Sequence, residues 1–205
     1  MYIVMVASEC APAAKVGGLG DVVYGLSREL ELRGHAVEIV LPKYDCMRYD
    51  QISGLRPDFE NLWVPWSGGA IRCTVWFGLV LGRKCFFIEP HSDENFFSRG
   101  GYYGFLDEAQ RFAFFSKAAL EFLLKSGKRP EIIHTHDWQT ALVPVLLFEV
   151  YQHVGMAQQR VCHTIHNFRH QGTTGVGALA QAGLEAPQRF LAADKLGEPS
   201  APDTV

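Results

Sequence analysis

YIVMVASECAPAAKVGGLGDVVYGLSRELELRGHAVEIVL, residues 2–41, decides the fold. Its opening, YIVMVA, is short, β-branched and uncharged, which reads as a buried strand. A glycine-rich turn, Lys15-Val-Gly-Gly-Leu-Gly20, follows. Residues 21–33 place apolar side chains at 22, 23, 26, 30 and 32, close to helical spacing, and Gly34 stands where a helix would stop. Residues 36–41 (AVEIVL) are a second strand, ended by Pro42. Strand, helix and strand within so short a stretch favour a right-handed βαβ unit and a parallel sheet.

Outward from this unit the pattern changes and then returns. Residues 50–90 mix Trp63, Trp66, Trp76 and Phe77 with Gly68-Gly69, which predicts strands near 61–65, 70–78 and 84–89 as hairpins appended to the sheet. Residues 91–104 read as a loop. Residues 107–126 predict a long amphipathic helix with Phe112, Phe115, Ala119, Phe122 and Leu123 along one stripe. A strand at 131–134, a helix at 137–152 and a strand at 160–165 resume the alternation. From Gln171 onward Gly, Ala and Pro dominate, and residues 173–205 predict a weakly structured tail.

The 205 residues carry 19 Lys and Arg against 22 Asp and Glu, so the formal charge of −3 provides no basic footprint for nucleic acid. Nor does it favour an anionic membrane surface as partner. The apolar runs are far shorter than a bilayer span, and the N-terminus lacks the charged start of a secretory signal, which points to a soluble, cytoplasmic chain. The five cysteines are odd in number and widely spaced without a CxxC, which suits reduced thiols rather than a disulfide framework.

Three motifs carry chemistry. The first is Lys15-Val-Gly-Gly-Leu-Gly-Asp21, after a strand and opening a helix. Glycines let a ligand approach the backbone, and a helix N-terminus offers unpaired N–H groups to phosphate, with Lys15 as a mobile cation beside them. A plain packing turn is the alternative. It is not a P-loop, which needs GxxxxGK[ST]. As a dinucleotide fingerprint it places Val23 where a small residue is needed and Glu38 in mid-strand, which counts against a nicotinamide oxidoreductase.

The second motif, His134-Thr-His-Asp-Trp-Gln-Thr-Ala141, sits where a strand ends and a helix begins, the edge at which open α/β sheets bind ligands. Asp137 reads as a ligand-facing carboxylate or as a helix N-cap. Trp138 reads as core or as a platform for a sugar ring. The third, His163-Thr-Ile-His166-Asn167, ends the next strand. The four histidines raise the question of zinc, but their spacing matches no standard site, and no metal is expected.

Together with Ser8-Glu-Cys-Ala-Pro12, Leu41-Pro-Lys-Tyr44, Tyr103-Gly104 and Arg111-Phe-Ala113, these motifs resemble the glycogen/starch synthase family of glycosyltransferases over residues 1 to about 172. The resemblance implies a Rossmann-like N-terminal half of a GT-B fold, with residues 1–172 as the acceptor-side domain. It implies retaining transfer of glucose from the sugar nucleotide ADP-glucose (UDP-glucose in some relatives) to the non-reducing end of an α-1,4-glucan, glycogen or starch. No cofactor is implied, and the compartment is the bacterial cytoplasm.

By this resemblance Lys15, Gly17 and Gly18 contact the donor phosphates. Asp137, His166 and Asn167 line the transferred glucose, with Asp137, His166 and Lys15 as the catalytic set. Glu9, Asp21, Tyr103 and Trp138 belong near the acceptor. The family's donor-binding domain is not recognised after Gln171, so the chain by itself is expected to hold the acceptor-domain fold and to transfer little glucose. A non-catalytic glucan-binding module derived from such an enzyme is the alternative.

Overall fold

The computed structural model describes residues 1–190. β1 (Tyr2–Val6), α1 (Gly18–Leu32) and β2 (Ala36–Pro42) form the βαβ unit, with β1 and β2 parallel from Tyr2↔Ala36 to Val6↔Val40. β3 (Ile52–Trp66), β4 (Gly69–Val80) and β5 (Arg83–His91) are an antiparallel meander. α2 (Glu108–Lys125), β6 (Ile132–His136), α3 (Leu142–Glu149) and β7 (Arg160–Thr164) restore the alternation, and α4 (Gly177–Gln181) follows. The seven strands form one sheet in the order β3-β4-β5-β2-β1-β6-β7. β5 pairs parallel with β2, and β2, β1, β6 and β7 are parallel throughout.

This order positions the site. The chain runs from β1 to β2 on one side, yet β1's other neighbour is β6, so the strand order reverses between them. Connections leaving the carboxyl ends of two such strands diverge and open a crevice. Val6 pairs with Thr135, so the glycine loop after β1 and Asp137 after β6 leave the sheet side by side.

Four elements differ from the sequence reading. β3 begins at Ile52, well before residue 61, because three register shifts against β4 erase its alternation. It is an edge strand, which tolerates Pro57. α2 is buried all round from Arg111 to Leu123 rather than along one stripe. Two of its polar residues are taken into the core with partners: Glu121 accepts the Tyr151 hydroxyl at 2.8 Å, and Lys117 donates to the Ala182 carbonyl. Arg111 is fully buried, its guanidinium 4.9–5.9 Å from the rings of Tyr44, Phe97, Phe105 and Phe112.

The helix expected at 137–152 is split. A 3-10 turn covers Trp138–Thr140, α3 starts afresh at Leu142, and a second 3-10 turn covers Tyr151–Val154. Pro144 is the cause: a continuous helix would need its missing N–H in the interior, whereas it is tolerated in the first turn of α3. In the tail, α4 buries Ala178 and Leu179, with Ala182 and Leu184 behind it, so residues 177–184 pack into the core. The rest of the tail reading, residues 191–205, lies outside the described residues.

Candidate active site

A cleft of about 610 Å³ opens at the carboxyl edge of β1 and β6. Glu9, Gly17, Gly18, Tyr103, Asp137, Trp138, His166 and Asn167 all line it. Two residues of the sequence-derived set do not: Lys15 and Asp21 pair with each other at 2.8 Å, both about half exposed.

The wall built from the β1–α1 loop is organised around one hydrogen-bonded carboxylate. Glu9 is 4% exposed. One carboxylate oxygen accepts the N–H groups of Val16 (2.7 Å) and Gly17 (3.1 Å); the other accepts the Tyr103 hydroxyl at 2.7 Å. That hydroxyl also lies 2.9 Å from Ser8 Oγ. Burial and the Glu9 charge both push the Tyr103 phenol upward, so it stays protonated and can donate. Gly20 lets α1 cross close to this wall: a Cβ there would lie 3.2 Å from Ala11 N and 3.3 Å from Ala14 O, a tight contact. The Gly17 N–H is thus occupied by an internal carboxylate. The next N–H groups, at the first turn of α1, have no intrahelical partner.

The opposite wall, from the ends of β6 and β7, is strained. Asp137 has φ 56° and ψ −177°, a backbone region that L residues seldom adopt. Its carboxylate makes no capping bond to the following turn; Oδ1 instead accepts the His166 N–H at 2.6 Å. Among the described residues nothing in the protein bonds its second oxygen. Trp138 closes the floor, edge-on to Phe112 with centroids 5.4 Å apart. On its far side lies a second, mostly apolar cavity of about 310 Å³. Trp138 therefore stands between the two cavities.

Behind Asp137 the histidines sort by sheet face. His134 pairs with Cys162 and His136 with Thr164 on one face; Thr135 pairs with His163 on the other. His163 bonds Thr135 Oγ1 at 2.8 Å, while His134 bonds Thr164 Oγ1 at 2.8 Å. The four rings therefore do not converge, and among the described residues no group of three or more His, Cys, Asp or Glu is placed to hold a metal. His136 is fully buried, and its Nδ1 lies 3.0 Å from His166 Nε2. Burial, with the neighbouring histidines, lowers its pKa to about 3.

Sequence reasoning missed Glu108 and His170, which also line the cleft, and the contact of His136 with His166. Glu108 opens α2 and accepts the Gly104 N–H, so a turn-plus-acid pattern hinted at it. His170 lies in a segment without periodicity and left no signal.

A family model described as the starch synthase catalytic domain matches residues 2–201, past the residue 172 at which the motif resemblance stops. Glycogen synthase 1 of Synechococcus sp. (strain JA-3-3Ab) is 68% identical over 196 residues, covering 96% of this chain and 40% of that protein. Glycogen synthase 2 of Methylococcus capsulatus is 64% identical over 98% of this chain and 41% of that protein. The chain thus spans about 40% of the length of these relatives. The catalytic domain of starch synthase IV from Arabidopsis thaliana, bound to ADP and acarbose, superposes with a TM-score of 0.93 at 46% identity, covering 100% of this chain and 41% of that one. Among the described residues no helix is long and apolar enough to cross a membrane.

Proposed function

The chain belongs to the starch synthase catalytic-domain family, with the Rossmann-like half of a GT-B fold, and from that premise we propose that its cleft serves glucosyl transfer. The donor is ADP-glucose, the acceptor the non-reducing end of an α-1,4-glucan, and the anomeric configuration is retained. The reading calls for no cofactor beyond the sugar nucleotide, and places the reaction in a bacterial cytoplasm. Residues 1–172 act as the acceptor-side domain.

The observation that carries this reading is the meeting of a glycine-rich helix N-terminus with Asp137, His166 and Asn167 in one cleft. The leaving group is a nucleoside diphosphate, so negative charge grows on its phosphates during transfer. Helix N-terminal N–H groups and a cation stabilise such charge. Because Glu9 already holds the Gly17 N–H, the phosphate falls to Gly18 and Leu19, one step further along. Lys15 supplies the cation; its exposed pair with Asp21 is worth under about 1 kcal/mol and releases it readily.

The sugar develops oxocarbenium character as the bond to phosphate breaks. Asp137 stands on that side with one oxygen anchored and the other free to bind a sugar hydroxyl or oppose the positive charge. Asn167 and His166 complete the glucose contacts, and Trp138 with Tyr103 lines the acceptor side. Glu9 serves this wall through Tyr103 and the loop amides.

The test is label transfer from radiolabelled ADP-glucose to glycogen primer. The chain is extended by the remaining length of the Synechococcus relative. Loss of incorporation in Asp137→Ala supports the reading; undiminished incorporation contradicts it. Primer binding without turnover in any version would leave only the glucan-binding module.

A further inference from the structure

His136 is a fully buried polar ring directly behind a cleft residue. We infer that His136 is a positioning residue: its Nδ1–H donates to His166 Nε2 and thereby holds His166 as the Nδ1-protonated tautomer. The inference rests on the reading of His166 as a contact of the transferred sugar, and specifies what that contact can do.

The geometry is that of a hydrogen bond between ring edges. The nitrogens are 3.0 Å apart, closer than two stacked faces come. The ring planes lie within 16° of each other with centroids 5.3 Å apart, so the rings meet nearly in one plane. The backbone of His136 is fixed, its backbone N–H donating to Thr140 Oγ1 at 2.8 Å and that hydroxyl donating back to the His136 carbonyl, and His134 stacks on the face of its ring at 4.2 Å.

One proton lies between the two nitrogens, and burial settles whose it is. Low pKa keeps His136 neutral, so it carries one N–H only. Its Nε2 is buried and has no partner among the described residues. If His166 donated, the His136 proton would move to Nε2 and stand as a buried N–H with no acceptor. If His136 donates, Nε2 is a bare lone pair. Orphaned buried N–H groups are the rarer of the two. His136 therefore donates, and neutral His166 must carry its own proton on Nδ1. This is the opposite of the tautomer that a free histidine side chain favours in water. His166 then offers the cleft a hydrogen-bond donor, suited to a sugar oxygen, and is not a general base.

Long-range ¹H–¹⁵N spectra of the uniformly ¹⁵N-labelled chain at pH 8.5 read the tautomer directly, without substrate. The expected result is His166 with a bare Nε2 and a protonated Nδ1. His136→Phe, which keeps the ring but not the donor, should shift His166 to the Nε2-protonated pattern. His136→Asn, whose amide N–H stands where Nδ1–H was, should restore it. A protonated His166 Nε2 in the unaltered chain overturns the inference, as does an unchanged tautomer in His136→Phe. Should His136→Phe fail to fold, seen as collapsed amide dispersion, the unaltered chain and His136→Asn still decide. Failure of the sugar-transfer reading would leave these spectra untouched, so the two fail separately.

Discussion

The two walls of the cleft are built on opposite plans. On the β1–α1 side the buried carboxylate is saturated: Glu9 accepts from Val16, Gly17 and Tyr103 and is 4% exposed. On the β6–β7 side Asp137 sits at φ 56°, and His136 keeps a buried nitrogen without a partner among the described residues. Saturated polar networks rigidify, whereas strain and unmet hydrogen bonds persist where function needs them. On the proposed reading the first wall is thus a frame that shapes an anion-facing loop, and the second is where the sugar is handled.

The sharpest way to break this contrast is Asp137→Gly. It removes the positive-φ penalty of about 1–3 kcal/mol and also the bond to the His166 N–H. Stability should stay within about 1 kcal/mol, while glucosyl transfer by the extended protein, on the proposed reading, falls by about 100-fold or more. Denaturant unfolding and the label-transfer assay check the two halves. Equal losses in both would make this wall a frame as well.

Glu9→Ala should do the reverse. It leaves the Val16 and Gly17 N–H groups without an acceptor and the Tyr103 hydroxyl with Ser8 alone, which costs about 3 kcal/mol and lowers the melting temperature by about 10 °C. Glu9→Gln keeps an acceptor for the two amides and should cost under about 1 kcal/mol. Unchanged melting in Glu9→Ala, with a raised KM for glucan, would move Glu9 to the chemical side.

The histidine wall also has a pH signature. The folded-state pKa of His136, about 3, lies below the ordinary histidine value, so the unfolded chain binds more protons between about pH 3 and 6.5. Stability from this group is full above that window and is lost as pH falls through it, at about 1 kcal/mol per pH unit. His134 and His163, lowered mainly by burial, add in the same direction. Unfolding midpoints measured across the window should flatten in His136→Phe.

Gly172→Ala probes the seat of Trp138 between the two cavities. Its φ is +67°, and a Cβ would fall 2.2–2.7 Å from the Trp138 ring. A loss of about 1–3 kcal/mol and a shift of tryptophan emission should follow. Lys15→Gln should give the smallest stability change, under about 1 kcal/mol, because its ion pair is exposed. Its effect should fall on the KM for ADP-glucose.

The parallel half of the fold was legible because β1, α1 and β2 obey local rules: a β-branched run, helical spacing and a stop at Gly34. β3 was half hidden, because its bulges against β4 break the alternation on which strand reading depends. α2 could not be read as wholly buried, since Arg111, Lys117 and Glu121 look like a solvent face until distant partners such as Tyr151 and Ala182 arrive. At the site, the motifs named residues that do meet in one cleft. What they could not show was direction: that the Glu9 carboxylate turns onto the loop amides, that Lys15 rests on Asp21, and that β6 and β7 place His163 on the other face. Those depend on register and long-range pairing, which residue identity does not carry.

That both walls serve one ligand is tested most directly by titrating the ¹⁵N-labelled chain with ADP-glucose and following backbone amides. The amides of Gly18 and Leu19 on one wall, and of His166 and Asn167 on the other, should move together along one saturation curve. Movement of one set while the other stays still would contradict the shared site.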